Sequence, residues 1–271
     1  MGVAVEVISG YATAPSTTYT AWTMNSSDSL TIRSFDVSKK AELLAQWGFN
    51  NGAGSTRVRS PRLHDNVRGI QSQVNATNPS PRFFPGYFAQ PLYAQDTLIA
   101  EQTGAATAGN FEMGALLIHY DDIPGVAGRF ITPAELKTNG LQAMGQYLAL
   151  TPGSTGGYSG GVSVNNSADN WIANQDYALV GGVVDANCLL IGIHGVDSGN
   201  LRVAFPGYSA SPQVTEDWFV RLSDKYELPL IPIFNSANKS AILVDAVQNQ
   251  GGAAVNVTLY FVLLKPGTKT T

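Results

Sequence analysis

Gly157-Tyr158-Ser159-Gly160-Gly161 fits G-x-S-x-G, the pattern that presents a nucleophilic serine in many hydrolases. That chemistry needs a histidine base and an acid to orient it, and the chain has three histidines, His64, His119 and His194. Ser159, Asp185 and His194 even run in the order that such hydrolases use. The pattern also demands a buried strand entering the serine and a helix leaving it. Here "LTPGSTG" leads in and "GVSVNNSADN" leads out, both polar or glycine-rich, and a segment so rich in glycine matches the motif by composition. Ser159 is expected in a loop, and no residue is assigned as catalytic.

"HYDD" places His119 beside Asp121 and Asp122, types that bind metal ions. Adjacent side chains of a strand point to opposite faces, so the two carboxylates do not converge. A strand end followed by a turn at "DDIPG" is the expectation. No zinc spacing, phosphate loop or dinucleotide fingerprint occurs, and no metal or cofactor is expected.

A third group is cationic. "RVRSPRLHDNVR" carries Arg57, Arg59, Arg62 and Arg68, and with Arg82 it holds five of the nine arginines, with Asp65 the one acid between Arg57 and Arg68. Alternation along a strand puts Arg57 and Arg59 on one face. Guanidinium forks suit carboxylates, phosphates and lipid headgroups, so the four are candidates for a subunit or anion contact. The competing reading is a solvated edge strand whose charges discourage aggregation.

Those residues must be held by a chain of 271 residues, 44% hydrophobic and only 13% charged, with net charge −4. Ordinary domains carry about 25% charge. A surface this poor in charge suits a protein covered by neighbours rather than an isolated monomer. The acidic balance, and the absence of Lys or Arg before Arg33, argue against a general nucleic-acid coat. Cys188, the one cysteine, lies in the apolar run "NCLLIGI" and reads as a buried, inert thiol. "MGVAVEVISG" lacks the basic start and long apolar core of a secretion signal, and the longest apolar run, "LYFVLL", is too short to span a bilayer.

The elements expected are short β-strands, such as "VAVEVI", "TLIAEQ", "MGALLIHY", "CLLIGIH" and "VNVTLYFVLL", parted by Gly, Pro and Asn. Three helices are expected, over 38–49, 132–148 and 215–226, the second capped by Thr132 with Pro133 in its first turn. Segments also repeat in order at an offset near 140 to 145 residues. "STRVRSP" (55–61) matches "NLRVAFP" (200–206), aligning Arg57 with Arg202, and "AQPLYA" (89–94) matches "ELPLIPI" (227–233). "TLIAEQTGAA" follows as "ILVDAVQNQGGAA", and "MGALLIHY" as "VTLYFVLL". The fold class is therefore all-β: two tandem jelly-roll-like β-sandwiches with a few short connecting helices. The first spans 1–131, a helix and Gly-rich connection spans 132–163, and the second sandwich spans 164–271.

With those paired segments, the chain resembles the double jelly-roll major capsid proteins of tailless DNA viruses and adenovirus-type hexons. The resemblance runs over almost the whole chain in architecture and pattern, without a diagnostic motif. It implies a non-enzymatic structural protein that self-assembles, as a trimer of pseudo-sixfold outline, into an icosahedral viral shell. The implied partners are further copies of the chain, other virion proteins and an internal membrane, with no direct sequence-specific nucleic-acid binding. The implied location is the virion, after synthesis in the host cytoplasm. The alternative is a carbohydrate-binding or adhesin-like tandem β-sandwich, in which Trp22, Trp47, Trp171, Trp218 or the aromatics of "RFFPGYF" (82–88) stack on sugar rings.

Overall fold

Val-, Ile- and Leu-rich runs punctuated by Gly and Pro become strands, and strands bury one another in antiparallel sheets. The computed structural model describes residues 3–13, 15–25, 28–63, 66–74, 79, 82–83, 89–104, 111–151, 156–165, 171–248 and 254–270. The first half contributes β1 (Ala4–Thr13), β2 (Thr20–Ala21), β3 (Thr23–Met24), β4 (Ala41–Phe49) and β5 (Gly54–Arg59). It continues with β6 (Ile70–Val74), β7 (Arg82–Phe83), β8 (Gln90–Leu92), β9 (Ile99–Gln102) and β10 (Phe111–Tyr120). One sheet has the order β3-β1-β10-β4-β7, with β8 also on β4, and the other has β2-β9-β5-β6.

The second half comprises β11 (Phe130–Ile131), α1 (Pro133–Asn139), β12 (Gly140–Leu150), β13 (Val162–Ser163), β14 (Asp176–Val184) and β15 (Cys188–His194). There follow β16 (Val203–Gly207), α2 (Pro212–Thr215), α3 (Trp218–Tyr226), β17 (Ile231–Asn235), β18 (Leu243–Val247) and β19 (Val255–Leu264). Its sheets run β11-β17-β14-β19-β12 and β13-β18-β15-β16. Lettering the main strands of each half B to I in chain order makes β1, β2, β4, β5, β6, β7/β8, β9 and β10 the first set. The second set is β12 to β19. Both halves then have one sheet ordered B-I-D-G and one ordered C-H-E-F, the jelly-roll arrangement.

Two expected helices are corrected. Residues 41–49 form β4, buried along nearly its whole length. A continuous apolar run is ambiguous between a buried helix and a strand buried on both faces, and here pairing with β10 decides for the strand. The helix expected over 132–148 ends at Asn139. Its start is as expected, with Thr132 and Glu135 capping each other reciprocally and Pro133 in the first turn. From Gly140, whose backbone is extended, the chain continues as β12 against β19, so the 132–163 segment supplies strands β12 and β13 of the second sandwich rather than a connection alone. The third helix, α3, forms within the expected segment and buries Trp218, Phe219 and Leu222.

Strands buried on both faces mark where the two jelly rolls meet. The outward face of the first B-I-D-G sheet packs its Val5, Val7, Trp47, Met113 and Leu117 into the same core as Leu189, Phe205, Trp218 and Phe219 of the second half. Trp47 donates its indole N–H to the Leu189 carbonyl at 2.8 Å and meets Trp218 edge-on at 6.3 Å. Tyr226 donates to the Leu44 carbonyl at 2.5 Å, and the Val7 amide to the Arg202 carbonyl at 2.8 Å. The C-H-E-F sheet of the second roll and α3 thus cover the first roll's outer wall.

Candidate functional site

The arginine segment lies on the outer face of the first C-H-E-F sheet. β5 alternates, with Thr56 and Val58 inside and Arg57 and Arg59 outside, as the spacing predicts. Both converge on Glu101 of β9: Arg57 Nε donates to Oε2 at 2.6 Å, and Arg59 Nε and Nη2 donate to Oε2 and Oε1 at 2.8 and 3.2 Å. Burial acts to raise the Glu101 carboxyl, but the two guanidiniums outweigh it and hold it below the usual carboxylate range. Arg57 also stacks on Tyr19, 3.9 Å from the ring centre, and donates to the Val67 carbonyl at 3.1 Å. Arg59 donates to the Asn66 carbonyl at 3.0 Å. These two side chains therefore tie the β5–β6 loop to the sheet. Arg62 and Arg68 are exposed, Arg62 donating to the Ala94 carbonyl at 3.1 Å and lying over Tyr93.

The second half holds a related arrangement that single-residue reading missed. Arg202, just before β16, donates through Nε to Asp245 of β18 at 2.8 Å and lies 4.0 Å from the centre of the Tyr158 ring. Asp245 is almost wholly buried, and His194 Nε2 approaches the same oxygen at 3.1 Å. Burial acts to raise the Asp245 carboxyl, yet His194 and Arg202 prevail and hold it below the usual carboxylate range. So each roll has an acid on its H strand, an arginine on that acid, and under the arginine a tyrosine near the C strand. The segment repeat aligns Arg57 with Arg202, but in the fold Arg57 is on an E strand and Arg202 leads into an F strand. The equivalence is one of partners, not of position.

The Arg202 group faces the first roll. Tyr158 donates to Asp28 at 2.7 Å, and the Ser9 amide of β1 donates to the same carboxylate at 2.7 Å. Ser9 Oγ lies 3.0 Å from Tyr158 Oη and accepts from Asn25 Nδ2 at 2.6 Å. Burial pushes the Asp28 carboxyl up. This polar chain crosses the seam between the two rolls.

Ser159 is not set up as a nucleophile. Its loop runs into β13 rather than a helix, and its hydroxyl accepts the Ala246 amide at 3.0 Å. Asp185, the acid in the right sequence order, is instead bound to Asn256, while His194 belongs to Asp245. Ser159→Ala is therefore expected to leave fluorophosphonate labelling of the protein at background. Labelling lost on that substitution would revive the nucleophile.

"HYDD" ends β10 as expected, with a turn closed by the Val126 amide on the Ile123 carbonyl at 3.0 Å. His119 is buried and lies 3.5 Å from Glu42, while Asp121 accepts the Lys40 amide at 3.2 Å, so the group is divided among different partners. His64 and Asp65 lie outside the described residues. Among the described residues no His, Cys, Asp and Glu group could hold a metal ion. Cys188 is buried, and that burial pushes its thiol far up. All four tryptophans are buried, at 8% exposure or less, and offer no platform for a sugar. Of "RFFPGYF", only the backbone of Arg82 and Phe83 is among the described residues.

No family model and no curated protein matches the chain. Likenesses to solved structures are faint. The PBSX exported protein XepA has 10% identity over 95% of this chain and 86% of its own, with a TM-score of 0.28. The major capsid protein P2 of bacteriophage PM2 has 8% identity over 98% and 100%, with a TM-score of 0.23. The T=1 Penaeus vannamei nodavirus has 11% identity over 98% of both chains, with a TM-score of 0.21. Viral capsid proteins are thus among the neighbours, but scores this low carry no weight, and the fold rests on the strand order itself.

Proposed function

We propose that the chain is a viral shell subunit, a major capsid protein that assembles with copies of itself. One observation carries the reading. Within the chain, the B-I-D-G wall of one jelly roll is buried against the C-H-E-F wall of the other. The complementary pair, the first C-H-E-F wall and the β12–β19 part of the second B-I-D-G wall, stays accessible on the same molecule. A surface of each kind on one body makes a head-to-tail contact, and such contacts close into rings when the rotation permits. Closure after three chains, six jelly rolls in all, gives the trimer of this reading.

The domains in this reading are the two jelly rolls, the first closing with β10 at Tyr120 and the second running from β12 to β19, with β11 added at the edge of its sheet. The wall residues of β19 that face outward, Asn256, Thr258, Tyr260 and Val262, carry no charge, which lowers the desolvation cost of association. Arg62 and Arg68 sit at a subunit boundary or on the inner surface and meet an anionic partner; Arg57 and Arg59, which share the single Glu101 carboxylate and keep a net positive charge, position that segment. Genome contact falls to other virion proteins or to an internal membrane. Fold alone does not specify function, so the test must be assembly. Thr258→Arg places a charge on the outward wall. It is expected to leave circular dichroism unchanged and to abolish the particles seen by negative stain, whereas unchanged particle yield would overturn the wall contact.

A further inference from the structure

Where the two rolls meet, they leave a cleft of about 550 Å³. Glu42 of β4, Leu92 of β8 and Tyr93 line it from the first roll, and Tyr226 of α3 and Leu228 line it from the second half. Clefts of this size at the junction of two domains suit small ligands, held by apolar walls and a few polar groups. The acid is the group that calls for an explanation. Glu42 leaves only 17% of its side chain in solvent, and the Nδ1 of His119 lies 3.5 Å from its Oε2, longer than an ordinary hydrogen bond. His119 is itself buried, and neither of its ring nitrogens has a hydrogen-bond partner among the described residues. His119 still holds the Glu42 carboxyl below the usual range, against the pull of burial and with help from Lys40. A carboxylate accepts about four hydrogen bonds. Among the described side chains none donates to Glu42 at ordinary length, so its accepting capacity is left to the cleft.

We infer that this cleft binds a small organic amine, with its ammonium on Glu42 and its apolar body between Leu92 and Leu228, across the seam. An ammonium brings three donors to a carboxylate that lacks them, and tyrosine rings attract a cation to their faces. Lys39 and Lys40 also line the cleft, and they oppose a cation. Both stand on the turn before β4, Lys40 exposed and Lys39 half-buried, with Asp36 acting on Lys39 and Asp121 on the Lys40 amide. Long lysine stems carry their charge toward water, whereas Glu42 is set in the strand and largely out of it. The carboxylate therefore decides the sign of the ligand. The site lies within one chain, so it stands whether or not the assembly is a shell.

The probe is phenethylamine, with 2-phenylethanol as its neutral isostere and phenylacetate as the anionic counterpart. Each is titrated into the purified chain at low salt and followed by saturation-transfer NMR. A ligand this small is expected to bind with a Kd on the order of millimolar. The amine should bind about tenfold tighter than the alcohol, and Glu42→Gln, which keeps the size of the side chain, should remove that advantage. Tyr93 is half exposed, so Tyr93→Ala carries little risk to folding, and it should weaken the amine about two- to fivefold. Thermal melts check both variants. If Glu42→Gln does not fold, the comparison of amine with alcohol and the Tyr93 variant decide the matter. Equal binding of amine and alcohol would leave an apolar cleft with no cation site, and tighter binding of phenylacetate would hand the site to the lysines. Either result overturns the inference, as does an amine whose affinity survives Glu42→Gln, or no binding by any of the three probes.

Discussion

Trp47→Ala is expected to lower stability by about 3–5 kcal/mol, the cost of deleting a large, fully buried aromatic. Trp47 is 1% exposed and lies where the first roll's outer wall meets the second roll. The substitution removes the edge-on contact with Trp218 and strands the Leu189 carbonyl that accepts its N–H. Because one core cluster runs through both halves, the parent protein is expected to unfold in urea as a single transition, with the variant's midpoint well below it. A loss under about 1 kcal/mol would mean that the seam does not couple the rolls.

Asp245→Asn is expected to cost about 2–3 kcal/mol at neutral pH. Removing one partner of a buried ion pair is costly because it leaves the other charge uncompensated, and the figure sits at the low end because about a fifth of the Arg202 side chain stays in solvent. The substitution also withdraws the anion from His194 and leaves Arg202 facing Tyr158, with Asp28 the remaining acid nearby. The pH dependence has a definite sign. The folded carboxyl is held below its ordinary value, so its stabilisation is present above the unfolded pKa of about 3.9 and is lost as pH falls through the folded one. The gap between parent and variant in thermal melts should therefore be full at pH 7 and shrink below about pH 4. A gap that widens on acidification would contradict the assignment of Arg202 and His194 as the partners.

Much of this architecture was legible as pattern. "TLIAEQ" and "ILVDAV" do become the two H strands, and "MGALLIHY" and "VTLYFVLL" the two I strands, because strands buried in the same place of the same fold need the same apolar run. β4 misled for the same physical reason: "AELLAQWGF" is apolar on both faces because a second jelly roll covers its outer side, and that erases the alternation that marks a strand. β12 misled through propensity. Leu, Gln, Ala and Met favour helix, but pairing with β19 outweighs that preference once Gly140 has ended α1.

The candidate site was legible only in part. Alternation put Arg57 and Arg59 on one face, and they are. Their partner Glu101 lies more than forty residues on, and nothing local marks it. The seam chain from Ser9 and Asp28 to Tyr158, Arg202 and Asp245 joins five separate segments, so it exists only once both rolls are folded.

Sedimentation velocity on the purified chain tests the shell reading most directly. The account predicts a trimer of the 28.7 kDa chain, together with much larger closed particles as concentration rises. A single species with the mass of one chain, unchanged across the concentration range, would contradict it.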